Sequence, residues 1–302
     1  MPACAALPTS GYRGRFAPSP SGPLHAGSLV AALGSYLDAR AHNGQWLLRI
    51  EDIDPPREVP GAANIILQQL SAHGLHWDEA VSWQSQHHQR YQAVLNALEQ
   101  QQLTYFCTCS RAQIKARGEH YDGYCRTRKR SASQAAVRLC NHHPTYQFND
   151  QRHGLVTVPA ALASEDFMLR RRDQLWAYQL AVVVDDMASG ITHIVRGEDL
   201  LHASAWQLTL WQQLKPLSLA TKLPLAELPT LHHLPLVVAA DGRKLSKQNH
   251  APALENQHAA DNLATAAAAL GLTVAHPNEY TNLERFLQAA TQAWQQQVLQ
   301  IK

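Results

Sequence analysis

The sequence lacks several features that would place it in a special class of protein. It has almost no excess charge, because 26 Lys and Arg oppose 24 Asp and Glu and leave a net charge of +2. A surface that is basic all over is therefore excluded, and any nucleic-acid-binding surface must be local. No apolar run reaches the length of a membrane-spanning helix, and the first residues lack the charged segment and apolar core of a secretion signal. We therefore expect a cytosolic protein without a membrane partner.

Cysteine is also scarce, and its five residues cannot form an even disulfide framework. Cys107, Cys109 and Cys125 fall within nineteen residues, and in a reducing compartment such a cluster indicates a metal more often than a disulfide. We interpret it as one structural Zn²⁺ site, with three reduced structural cysteines as the alternative. Zinc takes four ligands: His120 is the ordinary chemical choice for the fourth, and Tyr121 is a rarer one.

The rest of the composition describes a globular chain of 302 residues, of which 45% are hydrophobic. Tyr12, Arg13 and Phe16 suit a strand, and alternation predicts a second strand over residues 45–51. Helical spacing from Gly27 predicts a helix between them that ends near Asn43 and Gly44. A strand, a helix and a strand in this order favour a parallel sheet. The β-branched run over residues 178–184 predicts a further buried strand.

The predicted fold class is α/β, with a Rossmann-type parallel sheet that carries helices on both faces. Regular periodicity weakens after Thr104, so we expect an inserted subdomain, which carries the clustered cysteines. The predicted parts are a catalytic domain over 1–103 and 165–247, the insertion over 104–164, and a short helical C-terminal region over 248–302.

The segment 13–29 combines a stiff Pro-rich loop with a histidine just before a helix start, where backbone N–H groups favour an anion such as phosphate. It resembles the HIGH signature of class I aminoacyl-tRNA synthetases, in the form used by the glutamyl and glutaminyl enzymes, where Arg-Phe-Ala-Pro-Ser-Pro precedes the histidine. Here the signature is His25-Ala26-Gly27-Ser28, so two of its four positions differ. Lys244-Leu245-Ser246-Lys247 is similar to the second signature of that family, the KMSKS loop.

The resemblance implies the roles of individual residues. Glu51, in an Arg-x-Glu-Asp run, would hold the α-amino group of glutamate, and Arg196 would pair bidentately with its side-chain carboxylate. The implied glutamate-binding residues are Arg15, Phe16, Ala17, Pro18, Ser19, Glu51, Tyr178 and Arg196. The implied ATP-binding residues are His25, Gly27, Ser28, Lys244, Ser246 and Lys247, of which His25, Lys244 and Lys247 would be catalytic, with Mg²⁺ expected beside ATP.

The resemblance also bears on the insertion. The spacing Cys-x-Cys-x11-Tyr-x3-Cys resembles that of one synthetase-like subfamily and implies Cys107, Cys109, Tyr121 and Cys125 as zinc ligands. Basic side chains of the insertion would contact an RNA backbone; they are Arg111, Lys115, Arg117, Arg126, Arg128, Lys129 and Arg130.

Only 55 residues follow Lys247, and among them only Arg285 and Lys302 carry fixed positive charge. A full glutamyl-tRNA synthetase continues with a large anticodon-binding region, so we expect a truncated paralogue. That subfamily activates glutamate with ATP in the absence of tRNA, and then transfers it to the cyclopentene-diol of queuosine at the wobble position of tRNA(Asp).

Three alternatives remain open from the sequence. One is a compact glutamyl-tRNA synthetase that charges a tRNA 3′ end. The others are a non-catalytic RNA-binding paralogue and a small-molecule nucleotidyltransferase with a similar His-x-Gly-His loop.

Overall fold

A computed structural model describes residues 11–236 and 252–300. The strands of this part of the chain are β1 Arg13–Phe16, β2 Gln45–Ile50, β3 Ser82–Trp83, β4 Thr104–Cys107, β5 Ala136–Leu139, β6 Gln147–Asp150, β7 Gly154–Thr157, β8 Met168–Arg170, β9 His193–Gly197 and β10 Thr230–Leu234. The α-helices of the same part are α1 Ala26–Ala41, α2 Ala62–Ala72, α3 His88–Gln100, α4 Arg111–Lys115, α5 Ala160–Ala163, α6 Tyr178–Ala188, α7 Ser204–Leu214, α8 Ser218–Thr221, α9 Ala259–Ala269 and α10 Leu283–Gln300.

The chain divides into two compact units. The first comprises Met1–Trp83, Gly190–Leu200 and Pro229–Lys302, and the second comprises Gln84–Ser189 and Leu201–Leu228. The insertion predicted over 104–164 lies wholly within the second unit, and its boundaries stay a prediction.

Parallel strands form the sheet of the first unit. β2 pairs with β1 on one side and with β3 on the other, and β9 pairs with β10, all in parallel. The backbone N–H of Thr192 donates to the carbonyl of Arg13 at 3.0 Å, which places β9 beside β1. The βαβ unit predicted from the alternating residues is thus confirmed, and the carboxyl ends of β1, β2 and β9 lie at the same edge.

Helix α1 packs closely in this unit because its buried face carries leucines at helical spacing. Leu33 and Leu37 are fully buried, and burying one such side chain stabilises a fold by roughly 1.5–3 kcal/mol. Gly34 permits the close approach, since a Cβ there would lie only 2.6 Å from Cδ1 of Leu234 in β10 and 3.4 Å from Leu270.

The C-terminal helices α9 and α10, which the sequence predicted, complete the core of this unit. Trp294 of α10 is buried, and its indole N–H donates to Asp38 of α1 at 2.9 Å. The hydroxyl of Tyr12 donates to the other oxygen of Asp38 at 2.5 Å. One buried carboxylate therefore fastens the last helix and the start of β1 to α1.

The second unit contains an antiparallel sheet, in which β5 lies between β4 and β8, and a hairpin of β6 and β7. The strand predicted over 178–184 is wrong, because these residues begin helix α6. Within α6 the carboxylate of Asp185 is fully buried, and it accepts hydrogen bonds from Gln84 at 3.0 Å, Arg90 at 3.0 Å and Tyr91 at 2.5 Å.

Across the described residues, none of the helices combines the length and the apolar character that crossing a membrane requires.

Candidate active site and metal centre

His25 is the N-cap residue of α1, as its position before the predicted helix start implied. The backbone N–H of Gly27 donates to Nδ1 of His25 at 3.1 Å, and Ser28 completes a capping box, with its hydroxyl accepting from the N–H of His25 at 2.8 Å. Because Nδ1 accepts a hydrogen bond, the proton of the neutral ring resides on Nε2. The ring therefore offers an N–H donor beside the positive end of the helix dipole.

The signature loop is held against the end of β2 and against residues near α9. The N–H of Glu51 donates to the carbonyl of Pro18 at 3.0 Å, and Leu24 and Leu254 are joined by a backbone hydrogen bond of 2.8 Å. The buried amide of Gln69 supports both partners, since it accepts from the N–H of Leu24 at 2.7 Å and donates to the carbonyl of Leu254 at 2.8 Å. Sequence reasoning missed Gln69, which gives no signal within an amphipathic helix.

Glu51 follows β2 at the carboxyl edge of the sheet. Its side chain is buried, and its Oε1 lies 3.2 Å from the equally buried Arg49. This ion pair fixes the orientation of the Glu51 carboxylate at the edge of the sheet. Arg15 is buried in β1 opposite Leu47 of β2.

Arg196 is the penultimate residue of β9 and is buried. Its Nε–H donates to Nε2 of His233 in β10 at 3.1 Å. Sequence analysis did not identify His233, because its position beside Arg196 depends on the pairing of two distant strands.

The first unit thus contains most of the predicted glutamate and ATP residues. Phe16 and Pro18 are buried, Ala17, His25, Gly27 and Ser28 are half-buried, and Ser19 is exposed. Tyr178 belongs to the second unit, where it is the first residue of α6. Lys244, Ser246 and Lys247 lie outside the described residues.

Three sulfur atoms meet in the second unit. The Sγ atoms of Cys107, Cys109 and Cys125 lie within 4.8 Å of one another, and those of Cys109 and Cys125 are 3.5 Å apart. Tetrahedral coordination with Zn–S bonds of about 2.3 Å places sulfurs roughly 3.8 Å apart, so the three thiolates fit a metal ion of this kind.

The surroundings of Cys125 favour its ionised form, whereas burial raises the pKa of Cys109 although its hydrogen bond with Arg117 opposes this. Burial alone would raise the pKa of Cys125, but hydrogen bonds with the Thr108 backbone, Cys109 and Tyr121 outweigh it and lower that pKa to about 7. The guanidinium of Arg117 donates to Sγ of Cys109 at 3.2 Å. Donors and positive charge of this kind stabilise metal-binding thiolates.

The two candidates for a fourth ligand face different partners. Tyr121 is buried with Cys107 and Cys125, and its hydroxyl accepts from the N–H of Cys125 at 2.8 Å. Burial and a hydrogen bond with Cys107 raise the pKa of Tyr121. His120 instead places Nδ1 3.5 Å from a carboxylate oxygen of Glu165.

The basic side chains predicted to contact RNA fall into two groups, those that contact other residues of the second unit and those that are exposed. Arg126 forms a bidentate ion pair with the buried Asp166, and Arg128 lies 3.6 Å from the ring centre of Tyr124. Lys129, Arg130 and, on α4, Arg111 and Lys115 are exposed.

Comparison with known proteins identifies relatives of the whole chain. Residues 12–299 match the family model described as tRNA synthetases class I (E and Q), catalytic domain. The chain is 55% identical over 283 residues to the glutamyl-Q tRNA(Asp) synthetase of Idiomarina loihiensis, covering 94% of this chain and 96% of the relative. It is 51% identical over 284 residues to the protein of the same name from Escherichia coli (strain K12), covering 94% and 89%.

A solved structure is also similar. The glutamate tRNA ligase from Elizabethkingia meningosepticum, in complex with its amino acid, superposes with a TM-score of 0.64 at 27% identity. The similarity covers 79% of this chain and 52% of that one, so the chain spans about half the length of the solved ligase.

Proposed function

The chain belongs to the class I tRNA synthetases of the glutamate and glutamine type, and we propose that it is a ligase that activates L-glutamate with ATP and transfers it to queuosine in tRNA(Asp). Relatives that match almost the full chain bear the name glutamyl-Q tRNA(Asp) synthetase. Their name favours this acceptor over the 3′ end that a compact glutamyl-tRNA synthetase would charge.

One observation carries the proposal: a fixed carboxylate and a buried guanidinium lie at the same edge of the sheet, on strands that flank β1. Glu51 follows β2, and Arg196 lies near the end of β9. The carboxyl edge of a parallel sheet is where α/β proteins bind their ligands. Glutamate has an ammonium group for Glu51 and a side-chain carboxylate for Arg196, whereas the amide of glutamine would present N–H donors to a guanidinium that needs acceptors.

In the proposed first step, the α-carboxylate of glutamate attacks the α-phosphorus of ATP. A glutamyl-adenylate mixed anhydride forms and pyrophosphate leaves. His25 donates its Nε2–H to a phosphate oxygen as charge develops there, and Lys244 and Lys247 neutralise the phosphates, with Mg²⁺ bound to ATP. In addition to Glu51 and Arg196, we assign Arg15 and the loop residues 16–19 to glutamate recognition, and the family resemblance alone adds Tyr178 as a candidate.

In the second step, a hydroxyl of the queuosine diol attacks the anhydride carbonyl, so that an ester forms and AMP leaves. Because the substrates are ATP, glutamate and tRNA, we place the reaction in the cytosol. The exposed basic residues Arg111, Lys115 and Lys129 are available to contact the RNA backbone. Arg130 is exposed as well, although its side chain also forms a hydrogen bond with Cys125.

We propose that the metal is one structural zinc ion, held by Cys107, Cys109, Tyr121 and Cys125. Zinc would cross-link β4 to the loop that carries Tyr121 and Cys125, and would take no part in the reaction. Tyr121 is preferred to His120 because its hydroxyl lies beside Cys125, whereas His120 already faces Glu165.

The function is tested by incubating the protein with radiolabelled glutamate, ATP and tRNA. We expect label on queuosine-containing tRNA(Asp) and on its isolated anticodon stem-loop, but none on queuosine-free tRNA. Periodate, which cleaves the diol, should abolish transfer. Label on the 3′ ribose of tRNA(Glu), equally with queuosine-free tRNA, would establish the compact synthetase instead.

A further inference from the structure

Arg196 and His233 face each other across two parallel strands. The register of β9 and β10 pairs Arg196 directly with His233. His233 is fully buried and Arg196 is 6% exposed. The contact joins Nε of Arg196 to Nε2 of His233 at 3.1 Å, within ordinary hydrogen-bond distance.

This hydrogen bond specifies the state of both side chains. An arginine Nε always carries a proton, so Nε2 of His233 must accept, and the imidazole is then neutral with its own proton on Nδ1. The guanidinium is planar and rigid, so a bond at Nε fixes the plane in which its two terminal nitrogens lie. Those two nitrogens are the atoms that would form a bidentate pair with a carboxylate.

A neutral acceptor orients Arg196 for binding a carboxylate better than a carboxylate acceptor would. A carboxylate in the place of His233 would orient the guanidinium but would also neutralise it, and would compete with an anionic ligand. An imidazole acceptor holds Nε without adding a negative charge beside the guanidinium of Arg196. The buried setting strengthens both interactions.

We propose that His233 is a positioning residue that determines the affinity for glutamate by holding the guanidinium of Arg196 in its binding orientation. The inference rests on the proposed function, and on Arg196 as the residue that binds the side-chain carboxylate. It assigns to the protein a specificity determinant that does not itself touch the substrate.

His232 offers a matched control. It is the preceding residue of β10, is 6% exposed, and stacks on Trp294 with ring centres 5.2 Å apart. Because side chains alternate along a strand, His232 faces away from Arg196. Replacing it perturbs the same strand and a similarly buried position without removing the hydrogen bond to Arg196.

The test compares His233→Leu and His233→Met, which remove the acceptor, with His233→Gln, whose amide oxygen restores one. ATP–pyrophosphate exchange gives separate KM values for glutamate and for ATP, and thermal unfolding shows which variants fold. Losing an oriented charged hydrogen bond should raise the KM for glutamate about tenfold or more in His233→Leu and His233→Met. The KM for ATP should stay near wild type, and His233→Gln and His232→Gln should retain most of the affinity for glutamate.

A double substitution separates positioning from a merely structural role. In an Arg196→Gln background, His233→Leu should raise the KM for glutamate no further, because the group that it positions is already gone. An equal further rise in that background, or an unchanged KM for glutamate in folded His233→Leu and His233→Met, would overturn the inference alone. If the wild-type protein shows no glutamate-dependent exchange, the proposed function fails, and this inference fails with it.

Discussion

Tyr121 and His120 are neighbours in the chain, yet their side chains serve different parts of the second unit. The hydroxyl of Tyr121 lies beside the N–H of Cys125, and the ring of His120 lies beside Glu165. Removing one hydroxyl or one imidazole therefore distinguishes the two candidate ligands with little change in the fold.

We expect Tyr121→Phe to bind the metal more weakly, because the ring keeps its packing and loses only the ligand oxygen. His120→Ala should retain the metal. Metal analysis of freshly purified protein, followed by the rate of metal release to a chelator, measures the difference. Full retention in Tyr121→Phe together with loss in His120→Ala would contradict the proposed ligand set.

His73 couples stability to pH in the first unit. It is fully buried, its Nδ1 lies 2.7 Å from the carbonyl of Gln69, and its Nε2 lies 3.1 Å from the amide of Asn262. Burial lowers the pKa of His73 below its ordinary value of 6.5, although the bond to Gln69 opposes this. Below that value the unfolded chain binds more protons than the folded one, so the contribution of His73 is complete at higher pH and is lost as the pH falls.

The melting temperature should therefore decline less steeply in His73→Gln than in wild type as the pH falls below about 6.5. His276→Gln, which changes a half-buried histidine beside Asp261, serves as the comparison. Thermal unfolding across this pH range provides the measurement, and parallel curves for wild type and His73→Gln would show that the buried ring does not cause the decline.

At the scale of elements, helix α1 joins the signature loop to the core, and Gly34 lies where the helix approaches β10 closely. A methyl group at this position would meet Leu234 at 2.6 Å. Overpacking of this kind costs about 1–3 kcal/mol, which exceeds the gain of roughly 0.5–1 kcal/mol that alanine brings to a helix interior.

Gly34→Ala should accordingly lower the free energy of unfolding, as measured by urea denaturation. Gly11→Ala is a matched control, because a Cβ at Gly11 would have no neighbour within 4 Å, and it should be close to neutral. A Gly34→Ala protein more stable than wild type would mean that β10 and α9 shift easily to make room.

Elements were predictable from the sequence where one face is buried and the other is not. The alternation in residues 45–51 gave β2, and the leucine spacing after Gly27 gave α1. The strand prediction over 178–184 failed because α6 is buried on all sides, with every residue from Leu180 to Met187 buried. A helix that is apolar all round shows no period, and its valines favour a strand.

The sequence predicted residues of the candidate site only where a short motif contains them. Short sequence patterns identified Glu51 and Arg196, and the roles of these two residues remain predictions. The sequence could not identify His233 or Gln69, because each matters through a partner at a great distance along the chain. Arg196 and His233 are adjacent because two parallel strands pair, and local sequence does not encode that register.

At the scale of the whole molecule, the proposed functions are divided between the two units. His25, Glu51 and Arg196 belong to the first unit, and the three clustered cysteines belong to the second. A lesion at the metal centre should therefore affect one activity more than the other.

We expect Cys109→Ser to lose the metal, to melt at a lower temperature, and to lose transfer to tRNA more than ATP–pyrophosphate exchange. The reason is that the exposed basic residues flank the cysteines in the chain, whereas His25 and Arg196 belong to the first unit. Parallel assays of exchange and transfer on the same preparation measure the ratio. An equal loss of both activities would show that adenylate formation also needs an intact metal centre.

The bond between Trp294 and Asp38 spans 256 residues, and it has a consequence for how the protein is made. The first unit is assembled from three separated segments, so during translation its core is complete only after α10 has left the ribosome. The second unit is complete once residue 228 has emerged. Because domains generally fold as units during synthesis, the cysteine-bearing unit has the opportunity to fold while the signature loop, synthesised first, is still without its core.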